Sequence, residues 1–293
     1  MTKSAMITIA GRPNVGKSTL TNAMVGEKVA IVSNKPQTTR NRICGILTHG
    51  DTQFVFMDTP GFHKPRTRLG DYMVNVVQES VADVDAIFLL VEPIPNVGTQ
   101  EQELIHQIEA CGAPAVLVIN KIDTVEKEDL LAVMAAYSQV HEFDAVIPIS
   151  AKTGEGLEDL FKQAEIYAVE SPHFFPEDAI TDQPERQIVA EIVREKLLWC
   201  LEREIPHGTA VEITKFSERD NGILDIDATI YCEKASHKGI IIGKHGDMLK
   251  KISTLARNDC EQFLGAKVYL QTWVKVKENW RDNQYLIRNF GYE

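Results

Sequence analysis

The chain has 293 residues, too many for one ordinary core, and fits two domains of roughly 100 to 180 residues each. Its 44% hydrophobic and 25% charged residues, with 12 Pro and 18 Gly, match a folded globular chain and exclude collagen, coiled coil and disorder. A formal net charge of −11, taken over the whole chain, argues against a protein that coats itself in nucleic acid or anionic lipid. Five scattered cysteines without paired spacing (Cys44, Cys111, Cys200, Cys232 and Cys260) read as reduced, buried thiols. The first residues lack a signal-like apolar region, and no uncharged run approaches the roughly 18 residues that span a bilayer. The expected chain is cytosolic, with no transmembrane segment.

In chain order, short apolar runs at 5–10, 54–57, 86–91, 115–119 and 145–149 predict strands buried on both faces. Helical patterns lie between them, at 17–24 and at 99–110, the latter with Leu104, Ile105 and Ile108 on one face. Alternating strand and helix predicts right-handed crossovers and an α/β domain with a mostly parallel, doubly wound sheet. The pattern breaks at 171–184, where Phe174 and Phe175 sit between prolines. This predicts a linker that packs against something, with domains at 1–171 and 185–293 around a linker at 172–184. Beyond it the order becomes helix, strand, strand, helix, helix, strand: a helix with Ile188, Ile192, Leu197 and Leu198, strands at 209–217 and 224–232 about Asn221-Gly222, an apolar piece at 240–242, a helix with Leu249, Ile252, Leu255, Ala256 and Phe263, and a strand at 267–276. The alternation at 224–232 predicts one solvent-facing side.

Residues 11–18 read GRPNVGKS, directly after a buried strand and before a helix. Gly11 and Gly16 allow backbone conformations that turn N–H groups of the Asn14, Val15 and Thr19 region onto phosphate oxygens at a helix N-terminus. Lys17 reaches the β- and γ-phosphates, and the Ser18 hydroxyl is placed for Mg²⁺. Asp58-Thr59-Pro60-Gly61 follows the next parallel strand, where Asp58 can hold Mg²⁺ and the Gly61 amide can touch the γ-phosphate. Asn120-Lys121-Ile122-Asp123 follows the strand ending at Ile119. The Asp123 carboxylate can accept two hydrogen bonds from guanine N1–H and its 2-amino group, a pair adenine does not offer. Ser150-Ala151-Lys152 completes the pocket, with the Ala151 amide expected toward the guanine carbonyl. Singly, each tetrapeptide after a strand is an ordinary turn. Together, in this order, they resemble the Ras-like GTPase superfamily, which implies GTP and GDP as ligands.

The segment 33–40, SNKPQTTR, sits where such GTPases keep their first switch, and the resemblance implies a threonine on Mg²⁺, Thr39 in preference to Thr38. Where many relatives place a water-orienting glutamine, this chain has Phe62, so intrinsic hydrolysis is expected to be slow or helped by another group or ion. Asn14 resembles the asparagine that ligates potassium in potassium-stimulated relatives. His63 reads as an exposed loop residue more readily than as a base.

Ile240, Ile241 and Ile242 precede the loop Gly243-Lys244-His245-Gly246. A GxxG loop between helices in this element order resembles a type II KH domain, whose loop clamps single-stranded nucleotides. Lys244 and His245 are the expected phosphate contacts, with Lys250 beside them, and the isoleucines with Leu249 are expected to line the base groove. Residues 233–282 carry ten basic against six acidic side chains, leaving −15 to the rest of the chain, so the basic charge is segregated. Trp273 and Trp280 read as core or interdomain anchors.

A GTPase domain joined to a type II KH domain, with PQTTR in the switch, is similar to the Era-like family of bacterial GTPases over nearly the whole chain. The resemblance implies GTP hydrolysis, binding to the 3′ end of small-subunit ribosomal RNA, and action in maturation of the small ribosomal subunit. It also implies a monomer in the cytoplasm with a loose, peripheral inner-membrane fraction. Two other readings stay open: an RNA-binding module with a static nucleotide, and a GTPase of RNA modification whose second domain recruits an enzyme.

Overall fold

The computed structural model describes residues 1–61, 67–81 and 84–292. Its described backbone divides into two units. The first takes in 1–30, 39–61 and 73–182 without 82–83; the second takes in 31–38, 67–72 and 183–292.

In the first unit the sheet runs β2 (Ile43–His49), β3 (Thr52–Asp58), β1 (Lys3–Ala10), β4 (Ala86–Val91), β5 (Ala115–Ile119) and β6 (Ala145–Pro148). Strands β3, β1, β4, β5 and β6 are mutually parallel. β4 and β5 are buried at every position because helices cover both faces. On one face α1 (Lys17–Val25) and α5 (Leu157–Ile166) bring Leu20, Met24, Leu160 and Ala164 against Ile7, Ile9, Phe54, Phe56 and Phe88. On the other, α3 (Thr99–Cys111) and α4 (Lys127–Ser138) bring Leu104, Ile108, Leu130 and Val133 against Ile87, Leu89, Leu117 and Ile119, with Val77 of α2 (Arg68–Val81). The edge strand β2, which the sequence pattern does not announce, is antiparallel to β3. At its Gly45 a Cβ would lie 2.7 Å from a Thr21 methyl and 2.8 Å from a Val25 methyl, so glycine lets α1 pack against this strand.

The proline-flanked segment is ordered along this unit. β7 (Val169–Glu170) pairs antiparallel with β1, and Gln53 exchanges two hydrogen bonds with the Phe175 backbone at 2.9 and 3.0 Å. Thr181 bridges to Gly45, and Asp182 accepts from the Cys44 amide at 3.0 Å.

In the second unit β8 (Ala210–Glu218) lies antiparallel to β9 (Leu224–Cys232), and β10 (Val268–Val276) runs parallel to it, in the order β10-β9-β8. α6 (Glu185–Cys200), α7 (Ala235–Ile242) and α8 (Asp247–Leu264) share one core with the sheet, built on Ile188, Ile192, Val193, Ile226, Ile230, Ile241, Ile252 and Ala256. The side of β9 expected to face solvent is largely covered: Asp225, Thr229 and Tyr231 are all buried. The cause is local to each. Tyr231 lies 4.7 Å from Phe290, just past α9 (Gln284–Asn289), within an aromatic cluster that includes Trp280 and Tyr292, while Lys215 and Arg219 close over Asp225. Trp280 is a core residue and donates to the Gly208 carbonyl at 2.9 Å, but Trp273 is 56% exposed on the edge strand and is not a core anchor. All five cysteines are free thiols; Cys111 is exposed and Cys200 half-buried, against the expectation that all are buried.

α6 carries three fully buried charged residues in succession. Arg194 pairs with Glu191 and donates to the Thr38 carbonyl. Glu195 accepts from the Val32 amide at 2.8 Å, and Lys196 sits 2.7 Å from Glu195 and 2.5 Å from Asp259 of α8. Lys35 donates to the carbonyls of Leu198 and Leu201, satisfying acceptors that the helix end leaves open. The segment 31–38 is thus tied along α6 by contacts to charged residues of the helix that are themselves fully buried and to its end carbonyls.

Candidate functional site

The phosphate loop, the Asp58 motif and the two base-reading motifs each lie at the carboxyl end of a parallel strand, the place where an open α/β sheet leaves a crevice, while the switch segment precedes the antiparallel β2. The loop after β1 runs into α1 through Gly16 at φ +107°, and Gly11 has φ +155°. The Lys17 ammonium is turned into this loop, donating to the carbonyls of Gly11 and Arg12 at 3.0 and 2.9 Å. Burial pulls its pKa down to about 8, against the pull of the nearby Asp58 charge. Val15 is buried in the core, Asn14 is exposed and Thr19 half-buried.

Asp58 ends β3 with no exposed surface. Ser18 Oγ donates to its Oδ2 at 2.6 Å, Thr39 Oγ1 lies 2.8 Å from Ser18 Oγ and 3.4 Å from the same carboxylate oxygen, and Asp58 Oδ1 is buried without a hydrogen-bond partner. Burial pushes its pKa up to about 6, with Lys17, Ser18 and Thr39 acting in the opposite direction. Two hydroxyls and a carboxylate with an unpartnered oxygen form the hard-oxygen set that Mg²⁺ takes. The same geometry separates the two threonines, because Thr38 Oγ1 donates to the Lys35 carbonyl at 2.6 Å. Thr59 is occupied structurally, donating to the Ile9 carbonyl, while at Gly61 a Cβ would lie 2.6 Å from the Pro13 Cα. Phe62 and His63 lie outside the described residues.

The base-reading loops interlock with the phosphate loop. Asn120 donates to the Val15 carbonyl at 2.8 Å, Lys121 donates to the Asn14 carbonyl at 2.7 Å, and Ser150 Oγ donates to Asp123 Oδ1 at 2.7 Å. The Ala151 amide, expected to face the guanine carbonyl, instead donates to Asn120 Oδ1 at 2.9 Å, so its hydrogen is committed to bracing the asparagine. Lys152 is exposed. Glu92, just past β4, lies 2.5 Å from Lys121 Nζ, a neighbour that no sequence motif announces.

In the second unit the GxxG loop joins α7 to α8. Gly243 has φ +76°, and a Cβ there would meet the Met248 amide at 2.9 Å; Gly246 has φ +84°, and His245 is also left-handed at +53°. Lys244, His245 and Lys250 are exposed. Ile240 is half exposed and Ile242 partly so, but Ile241 is wholly buried in the core, which removes it from the expected groove lining.

A carboxyl whose folded pKa lies above its ordinary value destabilises the fold wherever it is ionised. For Asp58 the penalty is complete above pH of about 6 and gone below the ordinary value of 3.8. Asp58→Asn should therefore raise the melting temperature of nucleotide-stripped, metal-free protein at pH 7.5, by the equivalent of about 2–3 kcal/mol, with the gap closing towards pH 4.5. Equal melting at both pH values would contradict this account of the site.

Comparison with known proteins covers the full length. Residues 6–121 match the family described as 50S ribosome-binding GTPase, and residues 204–281 match the KH domain family. The GTPase Era of Ruminiclostridium cellulolyticum is 50% identical over 291 residues, covering 99% of this chain and 98% of that protein. That of Clostridium kluyveri is 50% identical over 293 residues, the whole of both chains. Among solved structures, Era in complex with MgGDPNP and nucleotides 1506–1542 of 16S ribosomal RNA superposes with a TM-score of 0.96 at 37% identity, covering 100% of this chain and 99% of that one. A point variant of Aquifex aeolicus Era bound to GDP·AlF4⁻ superposes with a TM-score of 0.95 at 38% identity, covering 99% of each. With half of its residues shared across its entire length, and with the phosphate loop, both base-reading loops and the GxxG loop each at its structural station, the chain belongs to the Era family of GTPases.

Proposed function

We propose that this GTPase binds the 3′ end of small-subunit ribosomal RNA through its KH loop and couples its nucleotide state to that binding during maturation of the small subunit. The observation that carries the reading is the joining, in one chain, of the phosphate-loop, Asp58 and base-reading motifs to a KH unit with an exposed basic loop. A relative of matching fold that holds 16S ribosomal RNA supports it. The division of labour is a GTPase domain over 1–171, a linker over 172–184 and a KH domain over 185–293.

At the nucleotide site, amides of the phosphate loop and the Lys17 ammonium hold the phosphates, and the Gly61 amide meets the γ-phosphate. Ser18, Thr39 and Asp58 would hold Mg²⁺, which when bound neutralises charge on the β- and γ-phosphate oxygens. Ser150 fixes the Asp123 carboxylate that reads guanine. Coupling runs through adjacent residues: Thr39 faces Ser18 and Asp58, while the Thr38 carbonyl is held by Arg194 of α6. Rearrangement of Thr39 on loss of the γ-phosphate would pull on a segment tied to the KH helix.

No helix among the described residues is long and apolar enough to cross a membrane. A cytoplasmic monomer with a loose peripheral membrane fraction is the working assignment, and it rests on the family resemblance.

Three measurements test the reading. Replacing Asp123 by Asn exchanges one acceptor for a donor, which suits the C2 carbonyl of xanthine; binding and turnover should pass from GTP to XTP, and retained GTP preference would remove Asp123 as the base reader. Lys244→Ala should weaken binding of an oligonucleotide from the 16S 3′ end and lower the magnitude of its salt slope by about 1, and an unchanged slope would remove the loop from the interface. Hydrolysis should be severalfold faster in potassium than in sodium, with the difference lost in Asn14→Ala; equal rates in the two salts would exclude the monovalent ion.

A further inference from the structure

Glu92 stands one residue past the end of β4 and touches two loops at once. Its Oε1 lies 2.5 Å from Lys121 Nζ, and its Oε2 lies 3.6 Å from a terminal nitrogen of Arg12 in the phosphate loop. The other side of the Arg12 guanidinium pairs with Glu101, a nearly fully buried carboxylate in the first turn of α3. Lys121 Nζ completes the arrangement by donating to the Asn14 carbonyl at 2.7 Å. One carboxylate therefore ties the phosphate loop to the base-reading loop through a lysine and an arginine.

The backbone explains why such a tie is needed. Asn14 and Lys121, the two residues joined by the lysine hydrogen bond, both hold left-handed conformations, at φ +67° and +66°. Asparagine enters that region readily, but a lysine stays there only where its surroundings over-determine it. Without Glu92, the Lys121 ammonium keeps one neutral acceptor, and its long side chain regains rotamer freedom that binding must then remove.

Charge alone would argue against an acid here. A carboxylate beside a polyanion's binding loop opposes the ligand, so simple electrostatics predicts tighter nucleotide binding when it is neutralised. We propose that Glu92 is a positioning residue for guanine nucleotide, presetting the phosphate loop and the base-reading loop through Arg12 and Lys121 before the nucleotide arrives. This rests on the nucleotide-site reading above. The contacts lie on the loops common to GDP and GTP, so both ligands feel the loss alike.

The test uses the full-length chain carrying Glu92→Gln, with affinities for GDP and GTP measured by calorimetry and GDP release by stopped-flow fluorescence. The pairs are partly solvent-exposed and screened, so the expected loss is about fivefold for both nucleotides, with KM rising by more than kcat falls. In a Lys121→Met background the same change should have no effect or should tighten binding, a coupling that general loosening of the fold would not produce. Equal or tighter binding by Glu92→Gln, a loss confined to GTP, or full additivity with Lys121→Met would each overturn the proposal. Asp123→Asn separates the two levels. If it moves preference to xanthine while Glu92→Gln binds normally, the positioning role alone fails; if it leaves base preference untouched, the underlying site reading fails.

Discussion

The nucleotide site is organised around a carboxylate buried away from water. Asp58 sits at the end of a central strand with no exposed surface, and the groups that compensate it come from two separate parts of the chain: Lys17 and Ser18, where the phosphate loop opens α1, and Thr39 within the switch segment. An isolated ionised carboxylate at such a position would take up a proton. Its charge is tolerated because two hydroxyls meet it and the Lys17 ammonium, held by the carbonyls of the phosphate loop, is near enough to offset it. The unpartnered oxygen that remains leaves the carboxylate a lone-pair site open to a ligand.

A second buried charge set performs a comparable role in the other unit. Arg194, Glu195 and Lys196 would be costly without partners, and they find them in Glu191, in Asp259 and in backbone groups of residues 32–38. Removing one member leaves its own partner uncompensated in a largely dry environment.

Much of this was legible in the sequence where backbone geometry dictates residue type. The glycines of GRPNVGKS and of the GxxG loop are there because left-handed or crowded positions admit little else, and the β-branched runs of β4 and β5 follow from burial on both faces. What stayed hidden depends on which side chain meets which at long range. Glu92 and Glu101 look like ordinary strand-end and helix-start acids until Arg12 and Lys121 are brought beside them. The REK run of α6 reads as a solvated helix face, although three consecutive charges amid apolar neighbours were a usable warning. The alternation in β9 correctly marked an outer side but could not reveal that aromatics from the chain's last residues would cover part of it. Ile240 to Ile242 share a composition and differ only in helical phase, which sent Ile241 inward.

The grouping of residues 31–38 with the second unit bears on how such a protein can be taken apart or recombined. A cut at the linker, the natural seam for exchanging one module for another, leaves behind the strand of chain that supplies Lys35 to the end of α6 and the Val32 amide to Glu195. The excised fragment would carry the sequence of a KH domain without the Val32 amide, the Thr38 carbonyl and the Lys35 ammonium that meet its main helix. In this fold the boundary drawn along the chain and the boundary drawn through space are different lines, and a functional graft would have to respect the second.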